Sequence, residues 1–227
     1  MKKIIFITSI WIFFFQNSFA QVSTFSTLYK YPNNYSVFFD AIEINNKYYA
    51  VGWLLNASTF TDDGYLVGAD FIGNKLFSKY QREVDSVSYF LTFYGIQYLN
   101  GYLYASGYVA HADSSFTKGF TQDPILIKYD TLGNLIWYKN DYRTANRYFY
   151  NSSDLKLVGN NLVHVGSTVY QNNQNVNTSQ NTVIIWMDTS GNVIRQKEYN
   201  LSTADKFEVG NDYQSLADNG FLLTGLF

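Results

Sequence analysis

Side chains that most often carry chemistry near neutral pH are scarce: 227 residues contain two His and no Cys. His111 sits in Ala110-His111-Ala112-Asp113, a polar stretch where a solvated loop residue is expected and ligand contact is the alternative. His164 occupies an apolar stretch at a position that comparable stretches fill with Ala50, Ala105 and Leu223. A packed, neutral histidine is the reading there, with a functional one as the alternative. Two distant histidines without cysteine do not make a structural zinc site. No G-x-S-x-G precedes a helical pattern, so a serine-hydrolase elbow is missing. Asp62-Asp63-Gly64 and Asp218-Asn219-Gly220 begin like calcium loops, but neither continues into alternating acidic ligands with a closing Glu. Both are read as turns. A glycosidase needs two carboxylates facing one another across a pocket. Glu43 and Asp154 are the nearest candidates, and ordinary surface charge accounts for both. The expectation is no catalytic residue, no metal and no cofactor.

The best-spaced polar residues belong to turns. D-x-x-G-N-x-x-x-x-K occurs three times, through Asp70, Gly73 and Asn74, through Asp130, Gly133 and Asn134, and through Asp188, Gly191 and Asn192, ending at Lys79, Lys139 and Lys197. Gly reaches positive φ without a Cβ clash, and Asn tolerates it better than most residues. Asp at the start accepts a hydrogen bond from an N–H two residues on, which fixes the turn. The Lys is expected to lie across its own hairpin.

A second mark lies upstream. Short strand-like runs end in Gly at Tyr48 to Gly52, Leu103 to Gly107, Leu162 to Gly166 and Phe221 to Gly225, at spacings of 55, 59 and 59. The turn glycines stand 60 and 58 apart, so two marks share a period suited to four short strands. The fold class expected is all-β, a β-propeller of four-stranded antiparallel blades with about three and a half present. Val22 to Lys30 reads as an outer strand that closes the ring. Blade one takes Phe38 to Ile44, Tyr48 to Leu55, Gly64 to Asp70 and Leu76 to Arg82. Blade two takes Tyr94 to Leu99, Tyr102 to Tyr108, Ile125 to Asp130 and Leu135 to Asp141, its first hairpin marked by Asn100-Gly101. Blade three takes Leu155 to Val158, Leu162 to Thr168, Val183 to Asp188 and Val193 to Tyr199. Tyr213 to Ala217 and Phe221 to Phe227 start a fourth. An open blade edge there predicts self-association, and the reading is of an N-terminal part of a longer product or a minimal four-bladed ring.

Met1 to Ala20 begins with Lys2 and Lys3, continues through an apolar Ile4 to Phe15 and exits through Ser18 and Ala20. That is the pattern of a secretory signal peptide cut after Ala20. The apolar run is short for a bilayer span, so no stable membrane anchor is expected. Residues 21–227 then form one propeller domain in a secreted or cell-surface protein. Without the leader's two Lys the balance is 14 basic against 18 acidic residues, which argues against nucleic acid as a partner. No disulfide can support the exported fold, so a real core must.

The run Ile125-Leu126-Ile127-Lys128-Tyr129-Asp130-Thr131-Leu132-Gly133-Asn134-Leu135-Ile136-Trp137-Tyr138-Lys139 resembles the propeller repeat of secreted Bacteroidota proteins, many of them similar to type IX secretion cargo. Asp218-Asn219-Gly220-Phe221-Leu222-Leu223-Thr224-Gly225 fits the half that precedes it. The hairpin is also similar to the tryptophan repeats of quinoprotein dehydrogenases, whose outer-strand Trp is met at Trp137 while Phe77 and Arg195 hold the equivalent places. The resemblance implies architecture more than activity. The loops Val109 to Asp123, Asn140 to Ser153 and Val169 to Asn181 are rich in Asn, Gln, Ser and Tyr, which suit sugar or peptide contacts. His111, Asp113, Tyr170 and Asn172 are the ligand-face candidates. A non-catalytic module for a glycan or protein ligand is the expectation, with a fragment of a propeller glycosidase or quinoprotein-like oxidoreductase as the alternative.

Overall fold

A computed structural model describes residues 34–56, 61–81, 88–112, 120–140, 147–171, 177–199, 209–215 and 221–226. The signal peptide, the Val22 to Lys30 strand, Asp113, Asn172 and the Asp218-Asn219-Gly220 turn lie outside the described residues. Every regular element among them is a β-strand. This follows from a composition rich in Tyr, Phe, Val and Ile, with apolar runs too short for helices.

Three four-stranded antiparallel sheets follow one another along the chain, each a simple meander. The first holds β1 (Asn34–Ile44), β2 (Lys47–Asn56), β3 (Thr61–Asp70) and β4 (Lys75–Gln81). The second holds β5 (Ser88–Leu99), β6 (Tyr102–Ala112), β7 (Phe120–Asp130) and β8 (Leu135–Lys139). The third holds β9 (Arg147–Val158), β10 (Asn161–Gln171), β11 (Asn177–Met187) and β12 (Val193–Tyr199). β13 (Val209–Ser215) and β14 (Phe221–Leu226) form a two-stranded sheet.

The first strand of each later sheet packs on the sheet before it: β5 against β1, β2 and β3, β9 against β5, β6 and β7, and β13 against β9, β10 and β11. Strand alternation then gives each of the three four-stranded sheets buried side chains on both faces. Leu103, Ala105, Ile125 and Ile127 face the first sheet and meet Tyr49, Val51 and Leu66. Tyr104 and Leu126, on the opposite face of the same strands, meet Leu155, Leu162, Val183 and Ile185 of the third. At roughly 25 cal/mol per Å² of buried apolar area, these two interfaces are the main stabilising term in a chain without disulfides.

Several strands run longer than their apolar cores. Ala110 to Ala112 and Phe120 to Asp123 are strand rather than loop, and so are Val169 to Gln171, Asn177 to Asn181 and Arg147 to Ser153. The ladder continues through pairs such as Val169↔Gln180 and Ala110↔Gln122, because partners of matched length satisfy each other's backbone groups whatever the side chains. Asp62-Asp63-Gly64 is likewise no turn: it lies inside β3, paired with Leu55, Leu54 and Trp53.

Candidate functional site

The three Asp-x-x-Gly-Asn turns share one geometry. Asp130 Oδ1 accepts from the Leu132 and Asn134 N–H groups at 2.9 and 2.8 Å, and Asn134 Nδ2 donates to Oδ2 at 2.8 Å. Asp70 and Asp188 do the same with Ile72 and Asn74 and with Ser190 and Asn192. Only the glycine takes positive φ, at +84°, +77° and +75°; the asparagine serves through its side-chain amide instead. Desolvation opposes ionisation of each Asp, but the hydrogen bonds outweigh it and hold all three below the usual carboxylate range. Each carboxylate is committed to its own turn.

Two of the three lysines act on the following copy rather than on their own turn. Lys139 Nζ donates to Asn192 Oδ1 at 2.6 Å, and Lys79 and Lys139 lower the pKa of Asp130 and Asp188, the aspartates of the following copies. The strand twist carries the side chain to the neighbouring sheet rather than to its own turn. Beneath each later turn lies the residue three places after the previous Asn. A Cβ on Gly133 would stand 2.5 Å from the Phe77 ring, and one on Gly191 2.8 Å from Trp137. The Tyr49 and Tyr104 hydroxyls donate to the Thr131 and Thr189 carbonyls at 3.4 and 3.2 Å. Trp137 is therefore a seat for the next turn, meeting Tyr104 edge-on at 6.2 Å between centroids.

The first strand of every sheet carries a one-residue irregularity opposite the strand glycine: at Phe39, Tyr94, Ser153 and Asn211. These bulges explain Gly52 and Gly107, where a Cβ would stand 1.8 Å from the Val37 and Thr92 carbonyl oxygens. Past the bulge, Asp40 Oδ2 accepts from the Ile96 N–H at 2.8 Å, and Gln97 Nε2 donates to the Leu155 carbonyl at 2.9 Å, tying each first strand to the next. Gly95 permits the same approach, since a Cβ there would stand 2.5 Å from the Leu155 nitrogen.

The bulges also turn two rings toward one another. Phe39, 45 % exposed, lies 4.7 Å from Tyr94 between centroids at 32°, and Tyr94 stacks on Tyr108 at 5.8 Å and 30°. Burial, the neighbouring Tyr108 with its hydrogen bond, and the Asp62 charge hold the Tyr94 hydroxyl protonated well above the usual tyrosine range. Burial and then Asp63 raise the pKa of Asp62. The result is a row of three rings, each inclined about 30° to the next, with one open end, bonded hydroxyls and a nearby carboxylate. It offers an aromatic platform with polar groups at its border. The arrangement was not legible as a site in sequence, although Phe39 and Tyr94 stand 13 residues before Gly52 and Gly107.

The other candidates take the following places. His111 lies on β6, paired with Ser88 and Thr121, and Tyr170 on β10 opposite Ser179 and Arg147. His164 is buried, and burial pushes its pKa down to about 4, so it is neutral. Asp154 is buried, with Oδ1 on the Leu155 N–H at 2.7 Å and Oδ2 on Lys156 Nζ at 2.7 Å; Glu43 is exposed. Among the described residues no group of three or more His, Cys, Asp or Glu is placed to hold a metal ion, and no helix is long and apolar enough to cross a membrane. No family model matches the chain, and no curated protein is similar to it.

Proposed function

We propose that the chain is a secreted β-propeller binding module that holds a glycan or protein ligand at the cell surface and catalyses no reaction. The meander order of the sheets, the packing of each first strand on the preceding sheet and the matched bulges support a propeller, with β1, β5, β9 and β13 nearest its axis. Export rests on the leader pattern of Met1 to Ala20. The observation that carries the binding role is the row Phe39, Tyr94 and Tyr108. Rings of this kind supply rigid contact area for the C–H face of a sugar or an apolar side chain, and the Tyr hydroxyls and Asp62 supply orientation.

A glycan array and a pull-down from surface extract, run with the exported protein, test the reading. Wild type binds, and Phe39→Ala weakens binding by about tenfold or more without changing the unfolding midpoint, as expected of a central aromatic anchor. Binding that is indifferent to Phe39 and Tyr94 contradicts the assignment of the site, and blank results in both assays contradict the function.

A further inference from the structure

Three rings of this molecule are covered by its own cations. Lys128 Nζ stands 3.8 Å from the centroid of the Tyr102 ring, Lys197 Nζ 4.6 Å from that of Tyr199, and the Arg195 guanidinium 5.0 Å from that of Trp186. The row of Phe39, Tyr94 and Tyr108 has no such cover: among the described residues no cation lies over these rings, although Phe39 is exposed and a ring face attracts positive charge. A carboxylate stands beside the row instead. Asp62 and Gly64 share one face of β3 by strand alternation, and a Cβ on Gly64 would stand 2.7 Å from the Phe93 ring, so that face looks onto β5. Tyr94 follows Phe93, and the Asp62 charge reaches its hydroxyl. Asp62 is half-buried, and burial and then the neighbouring Asp63 disfavour its ionised form. Among the described residues no cation pairs with it, and a cationic guest would offset both penalties.

We infer that the Phe39–Tyr94 pair receives an arginine side chain of a protein ligand, the guanidinium stacking on the rings with its charge directed at Asp62. The inference rests on the binding role proposed for the row and names the chemistry that the row selects. A guanidinium is planar and weakly hydrated, so it stacks on an aromatic face while the N–H groups at its edge still reach a carboxylate. An ammonium is a compact, strongly hydrated point charge and cannot stack. A neutral sugar would use the same rings through its C–H face, but would leave the Asp62 charge uncompensated. The methylene stem of an arginine also gives Phe39 the apolar cover it lacks, because such stems lie along apolar surface while the head stays at the polar border. The chain's own Arg195 against Trp186 is the same pairing made internally.

The probe is the synthetic peptide Gly-Ser-Gly-Arg-Gly-Ser-Gly, immobilised at high density and titrated with the full chain at about 0.15 M salt, where attraction between distant charges is screened. Its partner probe replaces the arginine by citrulline, which keeps the shape and removes the charge. Wild type is expected to bind the arginine peptide about tenfold or more tighter than the citrulline peptide. Asp62→Asn brings the two within about twofold of each other, and Phe39→Ala weakens the arginine peptide by about tenfold. The comparison of the two peptides needs wild-type protein alone, so it holds whether or not a variant folds. Equal binding of the two peptides overturns the inference, and so does an arginine preference that survives Asp62→Asn at an unchanged unfolding midpoint. A lysine peptide bound as tightly as the arginine peptide overturns the choice of guanidinium. A glycan that binds through Phe39 while the arginine peptide does not bind overturns the inference and leaves the binding module standing. Blank results with peptide, glycan and surface extract alike contradict both.

Discussion

Single residues in this chain are explained by what stands against them. Gly107 is glycine because the Thr92 carbonyl lies where its Cβ would be, and Gly133 because it needs positive φ above the Phe77 ring. His164 makes a pH prediction. Its pKa is about 4 in the folded chain against an ordinary value of 6.5, so the unfolded chain binds more protons between those values. Stability from this residue is complete above pH about 6.5 and declines as pH falls toward about 4, by up to ~3 kcal/mol for a shift of this size. Urea midpoints at neutral and mildly acid pH check it: His164→Leu, which installs the residue found at the equivalent Leu223, flattens the acid loss, and an equally steep loss in the variant refutes the assignment.

Elements are where sequence and structure agree best and where their differences teach most. The marks of turn and strand glycine located the seven hairpins and the meander order, because a positive-φ glycine and a bulge-facing glycine are local demands that only one residue type meets. Strand ends were not legible: Asn177 to Asn181 is wholly polar and Arg147 to Ser153 shows no apolar–polar alternation, and their pairing comes from the neighbouring strand. The destination of Lys79 and Lys139 was hidden for a related reason, since spacing within one hairpin says nothing of the sheet alongside. The aromatic row was illegible because it joins β1, β5 and β6, and the spacing of Phe39 and Tyr94 to their own strand glycines says nothing of which strands stand side by side. The turn seat predicts a contrast between neighbours. Trp137→Ala removes the support of Gly191 and lowers stability by about 2–4 kcal/mol, while Ile136→Ala, exposed next to it, stays within about 0.5 kcal/mol. Equal effects in denaturant unfolding would show that Trp137 is no seat.

At the scale of the whole molecule, each sheet is both a platform for the next and a guest on the last, and the chain's cohesion lies in those faces rather than in covalent links. Sheets stacked this way can follow a straight line or fan about an axis. Only the fan gathers β1, β5 and β9 at a hub and gives the aromatic row a common face with the later bulges, so the proposed function depends on it. The measurement that decides is a pair of spin-label distances between the first and third sheets, in a chain with no native cysteine. One pair is placed near the first hairpins, at Lys47 and Asn161, and the other at the outer turns, at Ile72 and Ser190. A propeller predicts a hub distance clearly shorter than the rim distance; equal distances would mean a straight stack and would contradict the account.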